Sequence, residues 1–440
     1  MSARRLHWIS ALWVIAALAG CSRNSLLPRL MTAPSPHERY ADSLRNTPLE
    51  NTALARDWLA AAETALAKPL VITLPMRESG YFAADSPSAT AYQFELQRGR
   101  RFSVEINFDS LATAQVFVDL FELRSDEPPE RVASLTGSQT LAVDVPRDGT
   151  YVLRIQPELL RSGRYTIVQR TLASLPFPVA GLDGAAVQSE FGAARDAGRR
   201  EHEGIDIFAP GNTPVVAVVD GTAQTGTNPL GGNVVWLRDQ RQPRSFYYAH
   251  LRRWAFEGTS AVRAGDVVGY IGDTGNARGG PPHLHFGIYQ RGAIDPLPFL
   301  KADDPIPKPE TATDLLGELV RVTSARATMR AGTLRTAPTI AQLNRAALAR
   351  VAGITGTQLR VELPDRTSGY VDRTAITVAR PPLRQQRLAA GVVLREQPLA
   401  NAPAVRTIDE PVAADVIGEF GGFAFVRPST GPPGWIAMKS

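Results

Sequence analysis

The sequence predicts a mainly β, multidomain protein with short helices near its N-terminus. Its 440 residues exceed what one ordinary hydrophobic core holds. Apolar residues make up 44% and charged residues 21%, which fits folded units rather than disorder. From about residue 70, apolar positions alternate with polar ones, the period of a strand. The net charge is +5 without a basic run of nucleic-acid type, so we expect no nucleic-acid partner.

The first twenty residues have the layout of a secretory signal. Two arginines precede an apolar run too short to span a bilayer comfortably, and Ala19-Gly20 end it. Leu18-Ala19-Gly20-Cys21 resembles a bacterial lipobox, which implies lipidation of Cys21. An ordinary signal peptide or a short membrane anchor is the alternative. Cys21 is the only cysteine, so no intramolecular disulfide can form. The expected location is the cell envelope, as a lipoprotein facing the periplasm. Ser22 follows the cysteine directly. By resemblance to enteric lipoproteins, a serine at this position favours the outer membrane over the inner membrane.

Two helix signals follow a predicted tether over residues 21–34. Ser35-Pro36-His37-Glu38 combines a capping serine, a proline in the first turn and a glutamate three residues on. Thr47-Pro48-Leu49-Glu50 repeats that signal, and apolar residues then recur at helical spacing. We expect two tandem helices over residues 35–69, serving as a spacer or packing strut.

Residues 70–172 predict an antiparallel β-sandwich. Short alternating runs are separated by turn residues such as Asp148-Gly149 and Ser162-Gly163. The stretch from Asp148 to Ile167 resembles the bacterial pre-peptidase C-terminal domain, a jelly-roll-like accessory unit. That resemblance implies a binding or spacing role.

The C-terminal third contains a degenerate repeat after a polar, proline-bearing linker at 301–314. Units over 315–379 and 386–440 each begin with a Leu-Arg element and close on a Gly-aromatic-aliphatic triplet. They resemble the small SH3-like β-barrels attached to bacterial wall hydrolases. A generic β-barrel without a binding role is the alternative. The recurring elements are Leu334-Arg335-x-x-Pro338 with Leu394-Arg395-x-x-Pro398, and Gly369-Tyr370-Val371 with Gly434-Trp435-Ile436.

The chemistry-bearing residues lie between 174 and 300, in a glycine-rich segment that predicts a sheet. His202 and Asp206 are four apart beside alternating isoleucines, so a strand would place both on one face. His283 and His285 are two apart in a strand-like run and also share a face. His250 follows an apolar, aromatic run. Three strands could bring these side chains to one metal ion, and zinc prefers nitrogen and oxygen ligands with one position left for water in catalytic sites.

The motifs of this segment resemble the LytM/lysostaphin-type metallopeptidases, in unbroken order over about residues 187–300. The family implies an antiparallel β-sheet domain that binds one zinc ion per chain through His202, Asp206 and His285. It implies that His250 and His283 are the unligated catalytic pair, and which of them is the general base stays open. The matching motifs are SEFG (189–192), HEGIDIFAP (202–210), GNVV (232–235), YAHL (248–251), VRAGDVVGYIGDTGN (262–276) and PPHLHFGIY (281–289).

Three departures from the family concern substrate preference rather than the metal set. An arginine often stands two positions after the Phe-Gly pair, whereas Arg195 comes one position later. Many members have glutamate after His-Leu-His-Phe, where this chain has Gly287. Residues 277–282 lengthen the loop before His283.

These observations predict a zinc endopeptidase that hydrolyses peptide bonds in peptidoglycan stem peptides or cross-bridges. Zinc would acidify water and polarise the scissile carbonyl, with His250 or His283 moving the proton. No His-Glu-x-x-His exists, which excludes the helical zincin arrangement. Two alternatives stay open: a non-cutting regulator of cell-wall amidases, and a metallopeptidase acting on proteins outside the cell. Expected partners are peptidoglycan, the membrane through Cys21, and amidases or other envelope proteins.

Overall fold

The computed structural model describes residues 33–109, 115–137, 139–311 and 313–438. The predicted signal segment and Cys21 lie outside these residues. The described chain is mainly β, as predicted. Within the described ranges, no helix is long and apolar enough to cross a membrane.

Two helices open the described chain. Helix α1 (Pro36–Arg45) has the predicted capping box, since Ser35 and Glu38 each accept from the other's backbone N–H. The second helix signal is wrong, because Pro48–Asn51 forms only a 3-10 turn. The Thr47 hydroxyl donates back to a carbonyl of α1, and Thr52 caps helix α2 (Ala53–Ala67) instead.

The helices are fixed against the neighbouring sheet. His37 of α1 stacks on Trp58 of α2 with ring centroids 4.8 Å apart. The Trp58 indole donates to the Pro157 carbonyl at 2.8 Å, and His37 Nε2 lies 2.7 Å from the Gln156 side-chain oxygen. Burial, together with the positive charge of Arg154, lowers the pKa of His37 to about 4. The helices therefore act as a packed strut.

The first β unit is two sheets packed face to face around one core. One sheet has the order β1-β3-β8-β5-β6, and the other contains β2-β9-β4-β7. Alternate residues such as Tyr92, Phe102, Leu153 and Ile167 are buried between them. The strands are β1 (Leu70–Val71), β2 (Met76–Phe82), β3 (Thr90–Leu96), β4 (Arg100–Phe108), β5 (Val116–Leu123), β6 (Glu130–Thr136), β7 (Thr140–Asp144), β8 (Gly149–Pro157) and β9 (Gly163–Ala173).

The histidine-bearing segment forms a separate, ten-stranded sheet. Its order is β10-β13-β20-β17-β16-β15-β18, and every neighbouring pair is antiparallel. Leu284, Phe286 and Ile288 of β20 face the core, which leaves the odd-numbered positions on the opposite face. The elements are β10 (Val187–Ser189), β11 (Ala194–Arg195), β12 (Arg200–Glu201), β13 (Ile205–Phe208), β14 (Pro214–Val216), β15 (Gly221–Asn228), β16 (Gly232–Asp239), β17 (Ser245–Trp254), β18 (Thr259–Val262), β19 (Val267–Ile271), β20 (His283–Tyr289), β21 (Ala293–Ile294) and helix α3 (Leu297–Leu300).

The C-terminal region contains two units with one strand order. The first runs β22-β25-β26-β27-β23-β24 and the second β29-β32-β33-β34-β30-β31. The strands are β22 (Leu319–Val322), β23 (Arg326–Arg330), β24 (Thr339–Asn344), β25 (Leu348–Thr355), β26 (Gln358–Glu362), β27 (Ser368–Asp372), β28 (Ile376–Val378), β29 (Arg384–Leu388), β30 (Val393–Arg395), β31 (Ala404–Thr407), β32 (Val412–Phe420), β33 (Phe423–Pro428) and β34 (Gly434–Ala437). Further 3-10 turns span Gly184–Ala186, Asp196–Gly198, Gly275–Ala277, Thr313–Leu315 and Arg373–Ala375.

Equivalent strand pairs in the two units fix their alignment, which corrects part of the predicted repeat. Arg330 pairs with Tyr370 in the first unit, and Arg395 pairs with Trp435 in the second. Arg395 is therefore the equivalent of Arg330, not of Arg335 as the Leu-Arg motif suggested. No closed barrel is found among the described strands, so the SH3-like assignment stays a prediction.

The first C-terminal unit continues a sheet of the first β unit. Strand β2 pairs with β25, which joins both units in one eleven-stranded sheet. The segment 301–311 contacts both units, since the Asp304 carboxylate accepts from the Thr171 backbone N–H at 2.8 Å and the Glu310 carboxylate accepts from the Gly356 backbone N–H at 2.9 Å. The backbone carbonyls of Lys301 and Ala302 both accept from Arg100.

Candidate metal centre

Strand β20 carries two histidines on the face opposite the core. His285 lies directly across from Asp206 of β13, and His283 lies across from Phe208. Antiparallel partners share a face, so His285 and Asp206 point to the same side. This agrees with the alternation that the sequence predicts for this strand.

His202 reaches the same place from outside the strand. Strand β13 begins only at Ile205, so the expected single strand through His202 and Asp206 is wrong. The chain bends at Gly204 instead, where an added Cβ would lie 2.6 Å from the Phe286 carbonyl oxygen and 2.8 Å from the His285 ring. A glycine is needed for this approach, which turns the 97% buried His202 towards β20.

Three ligand atoms converge at one point. His202 Nε2 lies 2.9 Å from His285 Nδ1 and 3.0 Å from Asp206 Oδ1, and the last two atoms are 3.1 Å apart. These separations form a near-equilateral triangle. Zinc–nitrogen and zinc–oxygen bonds of ~2.0–2.2 Å put tetrahedral ligands ~3.3 Å apart, so two imidazoles and a carboxylate in this arrangement fit zinc. Within the described residues the metal-competent group has three members, which leaves a fourth position free of protein ligands.

Neighbouring groups orient the ligands. His202 Nδ1 lies 2.9 Å from the Glu190 carbonyl oxygen, which can only accept. When the Nε2 lone pair binds a metal, the Nδ1 proton points to this carbonyl. Arg195 donates to Asp206 Oδ2 at 2.6 Å and to the Ser189 hydroxyl at 2.6 Å. Although Arg195 is displaced by one position from the family's usual arginine, it still reaches the site.

The site holds Asp206 as a carboxylate. Burial alone would favour the neutral acid, but the polar contacts of the His202 and His285 rings with the carboxylate outweigh it and hold the pKa of Asp206 well below its usual range. Burial also lowers the pKa of His285. An ionised acid beside a histidine held neutral is the protonation state that metal binding requires.

His250 reaches the site through an irregularity in its strand. Ala249 pairs with His285, so plain alternation would direct His250 to the other face. A register shift in the pairing of β16 with β17 and a positive φ of 62° at His250 change that direction. Its ring centroid lies 6.1 Å from that of His285 and 4.9 Å from that of His283.

Both of these histidines hydrogen-bond a backbone carbonyl through Nδ1. His250 Nδ1 lies 2.8 Å from the Thr274 carbonyl oxygen, and His283 Nδ1 lies 2.9 Å from the Pro281 carbonyl oxygen. Each carbonyl accepts a hydrogen bond from Nδ1–H, so in the neutral ring Nε2 carries the lone pair and can take a proton. Burial lowers the pKa of His250 to about 4. Near neutral pH His250 is therefore a neutral proton acceptor.

One family model matches the segment that contains all five of these side chains. The family model described as peptidase family M23 matches residues 200–296. These residues form an M23 peptidase domain.

Several named proteins are similar to this part of the chain. The L-Ala--D-Glu endopeptidase of Bacillus subtilis is 35% identical over 140 residues, which are 29% of this chain and 43% of that protein. The glycyl-glycine endopeptidase ALE-1 of Staphylococcus capitis is 36% identical over 108 residues, 23% of this chain and 29% of the relative. The solved catalytic domain of lysostaphin from Staphylococcus simulans is 30% identical, over 25% of this chain and 88% of that domain, with a TM-score of 0.23. The chain spans less than half the length of the first two relatives.

Sequence reasoning missed several contributors to the M23 site. The carbonyls of Glu190 and Thr274 set histidine tautomers, but a backbone carbonyl has no sequence signature. Arg195 was noted only as displaced, and its spacing gave no sign that it bridges Asp206 and Ser189. The four-residue spacing of His202 and Asp206 identified both candidate ligands. It also suggested one strand through both residues, whereas His202 lies outside strand β13.

Proposed function

We propose that this chain is a zinc-dependent endopeptidase that hydrolyses peptide bonds in peptidoglycan stem peptides or cross-bridges. The observation that carries the proposal is the convergence of His202, Asp206 and His285 within 3.1 Å of one another, with two further histidines beside them. An incomplete ligand set would favour a non-cutting relative, and this set is complete.

The residues divide the chemical work between them. His202, Asp206 and His285 would hold the ion, which when bound supplies a Lewis acid that acidifies water and polarises the scissile carbonyl. His250 and His283, whose Nδ1 atoms each hydrogen-bond a backbone carbonyl, can take a proton from the attacking water through Nε2 or, once protonated there, contact the developing oxyanion. The same groups can return a proton to the leaving amine.

The wall as substrate is supported by the names of the relatives, which include an L-Ala--D-Glu and a glycyl-glycine endopeptidase. Because those names state different bonds, the proposal is made for peptide bonds of the wall as a class. We further propose that lipidation at Cys21 anchors the chain in the envelope, facing the periplasm, at the outer membrane rather than the inner membrane. The C-terminal repeats, as SH3-like units, would hold it on peptidoglycan and raise its local concentration there. Fractionation of a Cys21→Ser variant tests the anchor, since release into the soluble fraction supports it and membrane retention contradicts it.

The catalytic proposal is tested on purified sacculi. The soluble fragment that begins after Cys21 is incubated with sacculi, with and without a zinc chelator, and released muropeptides are analysed by mass. We expect new amine termini that disappear with the chelator and in Asp206→Ala. Glu257→Ala changes an exposed acid of the same domain, so it is the matched control and should cut normally.

Other outcomes select the alternatives. Absence of cleavage together with stimulation of an added amidase would identify a regulator of amidases. Cleavage of casein-like proteins but not of sacculi would identify a peptidase for proteins outside the cell.

A further inference from the structure

An aromatic cluster lies on the sheet face that carries the metal centre. Trp236, Tyr247 and Gly287 occupy neighbouring positions on β16, β17 and β20, one row along from His285. Tyr289 follows on the same face of β20, two residues further. The Tyr247 ring contacts the His285 ring edge-on, with centroids 5.9 Å apart. The cluster therefore adjoins the proposed site of hydrolysis.

The rings of Trp236, Tyr247 and Tyr289 are tilted against one another and form a corner, not a parallel stack. The centroid of Trp236 lies 4.5 Å from that of Tyr247 and 5.2 Å from that of Tyr289. The two tyrosine rings stand at 85° to each other, 6.4 Å apart. Trp236 keeps 40% of its surface exposed, although large aromatic side chains usually contribute to a core. A ligand at this corner can therefore reach aromatic faces.

Gly287 makes room for this arrangement. An added Cβ would lie 2.9 Å from Tyr289 Cε2 and 3.1 Å from the Glu203 carbonyl oxygen. The Tyr289 ring therefore folds over the glycine, at the position where many family members have glutamate. The exposed side chain of Glu203 lies at the rim, with one carboxylate oxygen 3.4 Å from the Tyr289 hydroxyl.

We propose that the cluster of Trp236, Tyr247, Tyr289 and Glu203 binds an alkylammonium side chain of the substrate, next to the bond that is cut. This inference rests on the proposed peptidase function and names a substrate feature for it. Aromatic faces attract a cation through their quadrupole, and the methylene stem of an amine packs on the rings. The rim carboxylate adds a charged acceptor. A neutral sugar or an aliphatic side chain would use the rings but would gain little from Glu203.

A binding experiment tests the inference without catalysis. The soluble fragment that begins after Cys21 is titrated with Nα-acetyl-lysine amide and, separately, with its Nε-acetylated form, which lacks the charge. Binding is followed by tryptophan fluorescence. We expect the charged probe to bind about three- to tenfold more tightly, from the usual strength of cation–π contacts. The signal should be lost in Trp236→Phe, and the preference should fall in Glu203→Gln but not in the matched control Glu257→Gln. Equal binding of both probes would overturn the proposal.

A second experiment uses sacculi whose free amines are either intact or acetylated. We expect the wild type to cut intact sacculi about three- to tenfold faster. Tyr289→Leu and Glu203→Gln should reduce that ratio while retaining the zinc content of the wild type, and Tyr289→Phe should keep the ratio. An unchanged ratio in Glu203→Gln contradicts the assignment. If neither sample is cut, the proposed function fails, and the fluorescence titration alone decides amine binding.

Discussion

The Arg195 guanidinium donates a 2.6 Å hydrogen bond to Oδ2 of Asp206, while Oδ1 of the same carboxylate faces His202 and His285. One oxygen is thus occupied by a permanent cation, and the other is directed at the metal position. Arg195 comes from the short strand β11, so the hairpin β11–β12 positions the carboxylate. Because outer contacts of this kind fix ligand orientation, the hairpin is part of the metal centre.

Removing this contact should weaken metal binding. We expect Arg195→Ala to lower zinc affinity about 10- to 100-fold, because the carboxylate loses its orientation. Competition with a chromophoric chelator measures the affinity. The exposed neighbour Arg199 provides the control, since Arg199→Ala should leave the affinity unchanged. Wild-type affinity in Arg195→Ala would show that the contact does not position the ligand.

His250 should be needed for turnover but not for the ion. We expect His250→Ala to retain zinc while kcat falls about 10²- to 10⁴-fold, because a proton acceptor is lost. The pKa of His250 is lowered to about 4, so protonation should disable this group only as the pH falls towards 4. An ordinary histidine would already lose its acceptor form near pH 6.5. A pH–rate profile on sacculi measures the acid limb, and an unchanged kcat in His250→Ala would exclude the role.

The sequence predicted the parts of the site that follow strand periodicity. His283 and His285 share a face because they are two apart in a regular strand. His250 could not be oriented in this way, since its direction depends on a positive φ at an irregular pairing. The His202 bend depends on the approach of Gly204 to β20, a contact between residues far apart in the chain.

The features of the fold that could not be predicted depend on pairing between residues far apart in the chain. Alternation marked most strands of the first β unit, and the capping box marked α1. That β2 would pair with β25 could not be anticipated, because periodicity identifies a strand's faces but not its partner. The same limit hides the contact of Glu78 with Arg360, which are 282 residues apart.

The buried Glu78–Arg360 pair should hold the two units together. Arg360 Nε donates to Glu78 Oε1 at 3.0 Å, and the tyrosines Tyr92 and Tyr370 donate to the same carboxylate. We expect Arg360→Ala to lower the free energy of unfolding by about 3–5 kcal/mol, because it leaves a buried carboxylate uncompensated.

Denaturant unfolding of the soluble chain measures this cost. The exposed Arg350–Asp85 pair offers a matched control, and Arg350→Ala should cost about 0–1 kcal/mol. Equal, small effects of both variants would show that the buried pair does not stabilise the junction.

His37 should make stability depend on pH. Its folded pKa is lowered to about 4 by burial and by Arg154, against which Asp119 and Glu38 act more weakly. Between pH 6.5 and 4 the unfolded chain binds the proton and the folded chain does not. Stability is therefore complete above pH 6.5 and is lost on acidification, by up to about 3 kcal/mol.

Unfolding measured at several pH values separates His37 from the other histidines. His37→Phe keeps a ring against Trp58 but cannot titrate, so its stability should fall less between pH 6.5 and 4. Parallel pH profiles for the wild type and this variant would contradict the assigned pKa.

Zinc stoichiometry tests the central claim most directly. The soluble chain, dialysed against trace zinc and then metal-free buffer, is analysed by elemental mass spectrometry beside Asp206→Ala and Glu257→Ala. We predict one zinc per chain for the wild type and Glu257→Ala, and a strong loss for Asp206→Ala. A wild type without zinc, or an Asp206→Ala variant that keeps it, would contradict the assignment of His202, Asp206 and His285 as one metal centre.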